Sequence, residues 1–265
     1  MRPWLLCDAD WNHWPDRLPD EQSWPVMAEA RFAGVEVGVY AAAAELSPSR
    51  LARRHALAMQ YGLPVRALLL SLPADRWPDG ALTGDIRRVV DEVDACAAAC
   101  ARLGLGTLGV WPGADLAGAP WSRLVAALVR VRDAAARHGV RVAVEYKPGT
   151  VVSTVDDALR LAAAVPATGV LLDTGHAWAA GEDPADCVRR LGPLLWHVHL
   201  GDATEGAADD DLPLGRVHDV APLVAALDAG YSGIASLDLY GAVSSGACTG
   251  AQAGAESLRA LGTAA

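Results

Sequence analysis

The stretch DADWNHWPDRLPDEQSW, Asp8 to Trp24, follows the first apolar run of the chain and contains no glycine. The run that leads into it, Trp4–Asp8, reads as a short buried strand. An open, doubly wound α/β sheet usually sets a glycine-rich phosphate loop directly after its first strand. A loop built from Asp, Trp and Pro offers no such cradle. A closed barrel is therefore the expectation and the open sheet its alternative.

Further apolar runs recur at Val35–Tyr40, Val65–Ser71, Thr107–Trp111, Arg141–Tyr146, Val170–Asp173, Leu195–Leu200 and Ile234–Leu239. Stretches rich in Ala, Leu and Arg lie between them and are long enough for helices, as in RVVDEVDACAAACARLG (88–104). PWSRLVAALVRVRDAAARHG (120–139) closes on the His-Gly that suits a helix C-terminus, and VAPLVAALDAG (220–230) precedes the last strand. Eight strand–helix units at roughly thirty-residue spacing predict one (β/α)8 TIM barrel domain over residues 1–265.

Composition agrees and excludes other classes. The 265 residues are 52% hydrophobic and 20% charged, enough for a large core and unlike a disordered chain. A net charge of −10 leaves no basic stripe for a nucleic-acid backbone. The start, MRPWLLCDAD, reaches acidic residues too early for a signal peptide, and runs such as VRALLLSL are too short to cross a bilayer. Cys7, Cys96, Cys100, Cys187 and Cys248 form no ladder of spacings, and further zinc ligands are missing beside them. Reduced, partly buried thiols in a cytoplasmic protein are expected, with no membrane partner. A homo-oligomer stays open alongside a monomer.

Barrel chemistry gathers at the C-terminal ends of the strands. Glu145 and Lys147, two apart in VRVAVEYKPG, can both face the mouth; a plain salt bridge is the simpler alternative. In GVLLDTGHAW a buried strand ends at Asp173, with His176 three residues on. That pair suits a divalent ion, or else Asp173 merely caps a helix. Strand seven carries His197 and His199 on one face, His199 nearer the mouth and His197 deeper, as hydrogen-bonded core or a support for a ligand. Asp238 sits among apolar neighbours in IASLDLYG, and a lone buried carboxylate costs several kcal/mol unless it is paired, protonated or metal-bound. HVHLGDATEGAADDDLPLG (197–215) then adds Asp209, Asp210 and Asp211, which alone would read as a solvated acidic turn. Taken together, Glu145, Asp173, His199 and Asp238 form one oxygen/nitrogen set, with His176, Asp209 and Asp211 as a second beside it. Mixed carboxylate–imidazole ligation suits Mn²⁺ first, then Co²⁺, Mg²⁺ or Zn²⁺, in one or two ions.

These residues resemble the xylose isomerase-like TIM barrels, and within them the L-rhamnose isomerase branch. The resemblance rests on E-x-K (Glu145, Lys147), D-x-x-H (Asp173, His176), His199, DDDL with Gly215 after it, and Asp238, over residues 141 to 240. It implies a first metal on Glu145, Asp173, His199 and Asp238, a second on His176, Asp209 and Asp211, and Lys147 polarising a sugar carbonyl. Catalytic roles then fall to Lys147, Glu145, Asp238 and Asp211, and substrate contacts to His176, Lys147, Trp178 and His13. The chain is shorter than those isomerases, and strand three ends in SLPADRW, with Ser71 and Trp77 but no ring-opening histidine. Trp4, Trp11, Trp14, Trp77, Trp111 and Trp178 are expected near the mouth as walls for a sugar or polyol, or as packing.

The implied activity is a metal-assisted hydride shift between an aldose and a ketose. Ketose epimerisation or inosose-type dehydration by proton transfer is the alternative on the same barrel. The shorter Asp238, and Glu205 where epimerase relatives carry arginine, weigh against it. A dinuclear iron oxygenase would leave Lys147 without a role. The acidic charge disfavours nuclease chemistry, and a non-catalytic sugar-binding module would not need Lys147 aimed at the metals.

Overall fold

The computed structural model describes residues 2–13, 20–30, 32–112 and 120–262. Its parallel strands close into a barrel in chain order: β1 (Leu5–Ala9), β2 (Val35–Val39), β3 (Val65–Ser71), β4 (Thr107–Trp111), β5 (Arg141–Glu145), β6 (Thr168–Asp173), β7 (Leu195–Leu200) and β8 (Ile234–Leu237). Closure comes from β1 pairing with β8, Leu5 opposite Ile234 through Asp8 opposite Leu237. That pairing removes the edges an open sheet would keep. The expected strands are all present, with shifted ends: β5 stops at Glu145 and β8 at Leu237, so Lys147 and Asp238 stand just beyond the barrel rim.

Around the barrel run α1 (Asp20–Glu29), α2 (Ala42–Glu45), α3 (Pro48–Tyr61), α4 (Ile86–Leu103), α5 (Trp121–Ala136), α6 (Val155–Ala164), α7 (Thr174–Ala179), α8 (Pro184–Leu191), α9 (Ala221–Gly230), α10 (Tyr240–Ser244) and α11 (Gly250–Ala260). Local chemistry sets several of their ends. Ser47 accepts from Arg50 N ahead of Pro48, and Thr249 with Gln252 forms a reciprocal cap on α11. Gly104, at φ 72°, ends α4 in the left-handed region that a side chain disfavours. Cys96 and Cys100 lie on the buried side of α4, and all five cysteines are free of disulfides. Among the described residues, no helix is long and apolar enough to cross a membrane.

The main core lies between strands and helices, where runs such as Leu68–Leu70 and Val170–Leu172 bury both faces as parallel strands require. Inside the barrel the apolar filling is thin: Ala9, Trp11, Leu69, Ala143 and Leu171. Strand alternation turns Glu36, Glu145, Asp173, His197 and His199 inward instead, and every one is buried. At the opposite end from the mouth, the Trp196 indole fills the interior beneath Gly169, where a Cβ would fall 2.1 Å from the ring. Trp4 belongs to that lower end too. Its Nε1 donates to Asp228 of α9 at 2.8 Å, which corrects the expectation of a mouth residue.

Replacing Gly169 with alanine should overpack the floor and lower unfolding free energy by about 1–3 kcal/mol. Urea denaturation followed by far-UV circular dichroism measures it, and an unchanged midpoint would contradict the packing described.

Candidate active site

β6 and β7 pair Asp173 with His199, which brings an acid and an imidazole side by side at the rim. The His199 ring is fully buried, and its Nδ1 has no hydrogen-bond partner. Around that nitrogen stand Asp238 Oδ2 at 3.5 Å, Glu145 Oε2 at 3.8 Å and Asp173 Oδ2 at 4.0 Å. A polar atom buried without a partner is costly, and three carboxylates gathered around one imidazole nitrogen make a natural cation cage. The donor set therefore fits a divalent ion bound by oxygen and one imidazole.

Each ligand candidate is held from behind. Asp173 does both things its sequence context suggested: Oδ1 caps α7 by accepting from His176 N at 2.8 Å, while Oδ2 faces His199. Trp11 Nε1 donates to Asp238 Oδ1 at 2.8 Å, and the Trp11 ring meets the His199 ring edge-on at 5.7 Å. His176 lies beside Glu145, Nδ1 to Oε1 3.2 Å, and beside the Tyr146 carbonyl at 3.1 Å. Glu145, Asp173 and His176 form a second group of adjacent donor atoms that could hold an ion.

Above this cluster opens a cavity of about 360 Å³, walled by Trp11, Tyr40, Trp111 and Tyr240. Lys147 reaches it with its ammonium 5.0 Å from the Trp111 ring centre and paired with Asp209. Asp211 accepts from Gly241 N at 2.9 Å and holds φ at 41°. Such a left-handed non-glycine costs of order 1–3 kcal/mol and is commonest at functional sites. Gly241 is required there, since a Cβ would lie 2.1 Å from the Asp209 carbonyl. A larger cavity of about 580 Å³ opens at the lower end near Trp196 and Arg141, but no carboxylate is among its described lining residues.

Of the residues singled out by sequence, Glu145, Lys147, Asp173, His176, His199, Asp211 and Asp238 converge. Asp209 does not join the donor clusters: its side chain is 85% exposed and held by Lys147. His13, expected at the substrate, is buried with Nε2 2.9 Å from Asp8 and does not line the cavity. Trp178 is likewise turned away, stacked on His218 at 4.7 Å because α7 packs against the loop after β7. Trp77 is buried under Arg76 and Arg88, and Trp14 lies outside the described residues. Sequence reasoning missed Glu36 and Tyr40. Glu36, a lone acid inside the apolar run VEVGV, was the available signal.

Burial lowers the His199 imidazole's affinity for a proton, but Glu36, Glu145 and Asp238 outweigh it and push its pKa up to about 10. Burial also raises Glu145, Asp211 and Asp238, and the neighbouring acids add to the rise. All four groups hold protons more tightly folded than unfolded. The stability they carry is full below their unfolded values and drains as pH climbs towards the folded ones. In chelator, thermal unfolding temperature should therefore fall between pH 7 and about 10, where His199 loses its proton. The slope should be shallower in Glu145→Gln. A flat profile, or equal slopes by differential scanning calorimetry, would contradict the crowding of acids described.

Residues 25–261 match the family model described as the xylose isomerase-like TIM barrel. Among solved structures, the chain superposes on a D-allulose 3-epimerase from Methylomonas sp. with a TM-score of 0.76 and 19% identity, covering 98% of this chain and 97% of that one. An L-ribulose 3-epimerase gives 0.77 at 20% identity over 98% and 93%, and 3-keto-D-glucoside 4-epimerase from E. coli gives 0.75 at 19% over 98% and 100%. These likenesses show the fold. A curated inosose dehydratase from Lacticaseibacillus casei is 32% identical over 93 residues, 34% of this chain and 31% of that protein. The match thus spans about a third of that relative's length. With a closed eight-stranded barrel and a family match over most of its length, the chain belongs to the xylose isomerase-like TIM barrel family.

Proposed function

We propose that this chain is a divalent-metal-dependent isomerase, a single catalytic domain that interconverts an unphosphorylated aldose and its ketose. The observation that carries the reading is the unpartnered Nδ1 of His199 inside three carboxylates, with Lys147 and Asp211 opening onto the same cavity. Glu145, Asp173, His199 and Asp238 would hold the first ion. His176 and Asp211, beside the shared Asp173, offer a place for a second, which Asp209 joins only by releasing Lys147. Mn²⁺ suits this donor mixture best. The five free thiols suit a reducing, cytoplasmic compartment.

An ion held there would supply Lewis-acid polarisation of the substrate. The chain's own groups do the rest. Lys147, whose proton affinity burial lowers but Asp209, Asp211 and Glu145 together raise, donates to the carbonyl oxygen as negative charge grows there. Hydrogen moves with its electron pair from the carbinol carbon to the carbonyl carbon. The proton leaving the carbinol oxygen is accepted by Asp211 and returned to the former carbonyl oxygen, so atoms and charge balance. Asp211 suits that relay because burial, with Asp238 and Asp173 beside it, raises its proton affinity. Trp11, Trp111, Tyr40 and Tyr240 offer aromatic faces to sugar C–H groups and exclude water. Lys147 is the one cation among the described lining residues and Asp209 already balances it, which disfavours a phosphorylated substrate.

One observation favours a second reading. Glu145 and Asp238 both lie above the usual carboxylate range, so either could take a proton from carbon. That chemistry is epimerisation or dehydration, the activities named for the structural neighbours and for the inosose dehydratase relative.

Turnover of an aldose/ketose panel with Mn²⁺ in deuterated water separates the two. Hydride transfer leaves the product nearly free of carbon-bound deuterium by NMR, whereas extensive incorporation would establish the proton-transfer route. Asp211→Asn should cut kcat by at least about a hundredfold with an unchanged circular dichroism spectrum. Lys147→Met should cost a similar factor in kcat. Wild-type rates in either variant would remove that residue from the mechanism.

A further inference from the structure

Glu36 is a fully buried carboxylate on β2, and no lysine or arginine is among the partners found for it. Its partners come from the far side of the barrel. His197 Nε2 stands 2.8 Å from Oε2, and His199 Nε2 lies 3.3 Å from Oε2 and 3.4 Å from Oε1. The two imidazoles meet edge to face, 5.2 Å between centres. So the nitrogen of His199 that does not face the carboxylate ring is the one that faces Glu36.

We infer that Glu36 is a positioning residue for the metal centre: it accepts the Nε2–H of His199 and thereby fixes the tautomer and ring angle that aim Nδ1 at the three carboxylates. The inference rests on the metal reading proposed above and extends it to a residue on a strand that supplies no ligand. An imidazole has two nitrogens, and which one is free to bind a cation follows from the hydrogen bond the other makes. An acceptor-only partner can satisfy Nε2 in one way, as a donor's acceptor. His197 completes the arrangement. Its bond to Oε2 anchors the carboxylate, which would otherwise be free to rotate between the two rings. Glu36, His197 and His199 also lie close enough to be weighed as an ion site of their own. Their hydrogen-bond separations favour a strut over a cage.

Isothermal titration with Mn²⁺ alone tests this without any substrate. Wild type should bind, and Asp173→Asn should lose binding. Glu36→Gln, whose amide must present a donor to one of the two rings, should weaken Mn²⁺ affinity about 10- to 100-fold. Glu36→Asp should not recover it, because the shorter side chain cannot span to β7. If wild type binds no Mn²⁺, the metal reading itself fails. If wild type binds and Asp173→Asn does not, yet Glu36→Gln binds as wild type does, only the role of Glu36 is overturned. A measurement on the unaltered chain guards against variants that do not fold. With Mg²⁺ bound, long-range ¹H–¹⁵N NMR should find the His199 proton on Nε2; a proton on Nδ1 would overturn the inference.

Discussion

Buried negative charge must be balanced, and among the described residues this barrel balances it without arginine or lysine at its centre. Burial alone would favour protonating Glu36, yet His197 and His199 across the barrel hold it well below the usual carboxylate range. Moving upward, the same His199 meets Glu145, Asp173 and Asp238 with its other nitrogen. Three imidazoles, His176 included, therefore stand among four acids, and the upper three acids remain short of positive charge because burial lowers the proton affinity of His176. Their raised proton affinities express that shortage. A divalent cation would meet it where protons meet it only in part.

The rim is built so that this shortage persists. Trp11 secures one oxygen of Asp238 and the α7 backbone secures one oxygen of Asp173, leaving the second oxygen of each turned to the centre. Neither partner brings a charge. Lys147, the nearby cation, is drawn outward by Asp209 and over the Trp111 ring, so it stands at the entrance and does not collapse onto the acids. Preorganisation of this kind carries a structural cost, visible in the left-handed Asp211 and in the glycine needed beneath it.

The loop that follows β7 has its own foundation. Asp202 is wholly buried; it accepts from Val217 N and His218 N and pairs with His218 Nδ1 at 2.7 Å, while its backbone bridges Leu212. These bonds close the segment from 202 to 218 into a compact loop and deliver Asp211 to the α10 end of the cavity. They also explain why Trp178 is lost to the pocket, since its ring is committed to stacking on His218. A tryptophan two residues after a candidate ligand looks like a wall in one dimension and proves to be a support in three.

Local pattern alone determined much of this protein. Strand positions followed from apolar runs of fixed period, barrel closure from a glycine-free loop after the first of them, and most rim acids from their place at strand ends. Those features depend on neighbours a few residues apart, which the sequence displays directly. Tertiary structure decided what depends on separations across the barrel. Glu36 meets His197 over 161 residues of chain, and nothing near VEVGV announces an imidazole. Asp209 and Asp211 share one acidic run, yet one is held in solvent by Lys147 and the other is turned inward by Gly241 N. Charge and spacing in that run are the same for both. Only the backbone course of the folded loop, fixed by contacts remote in sequence, tells them apart.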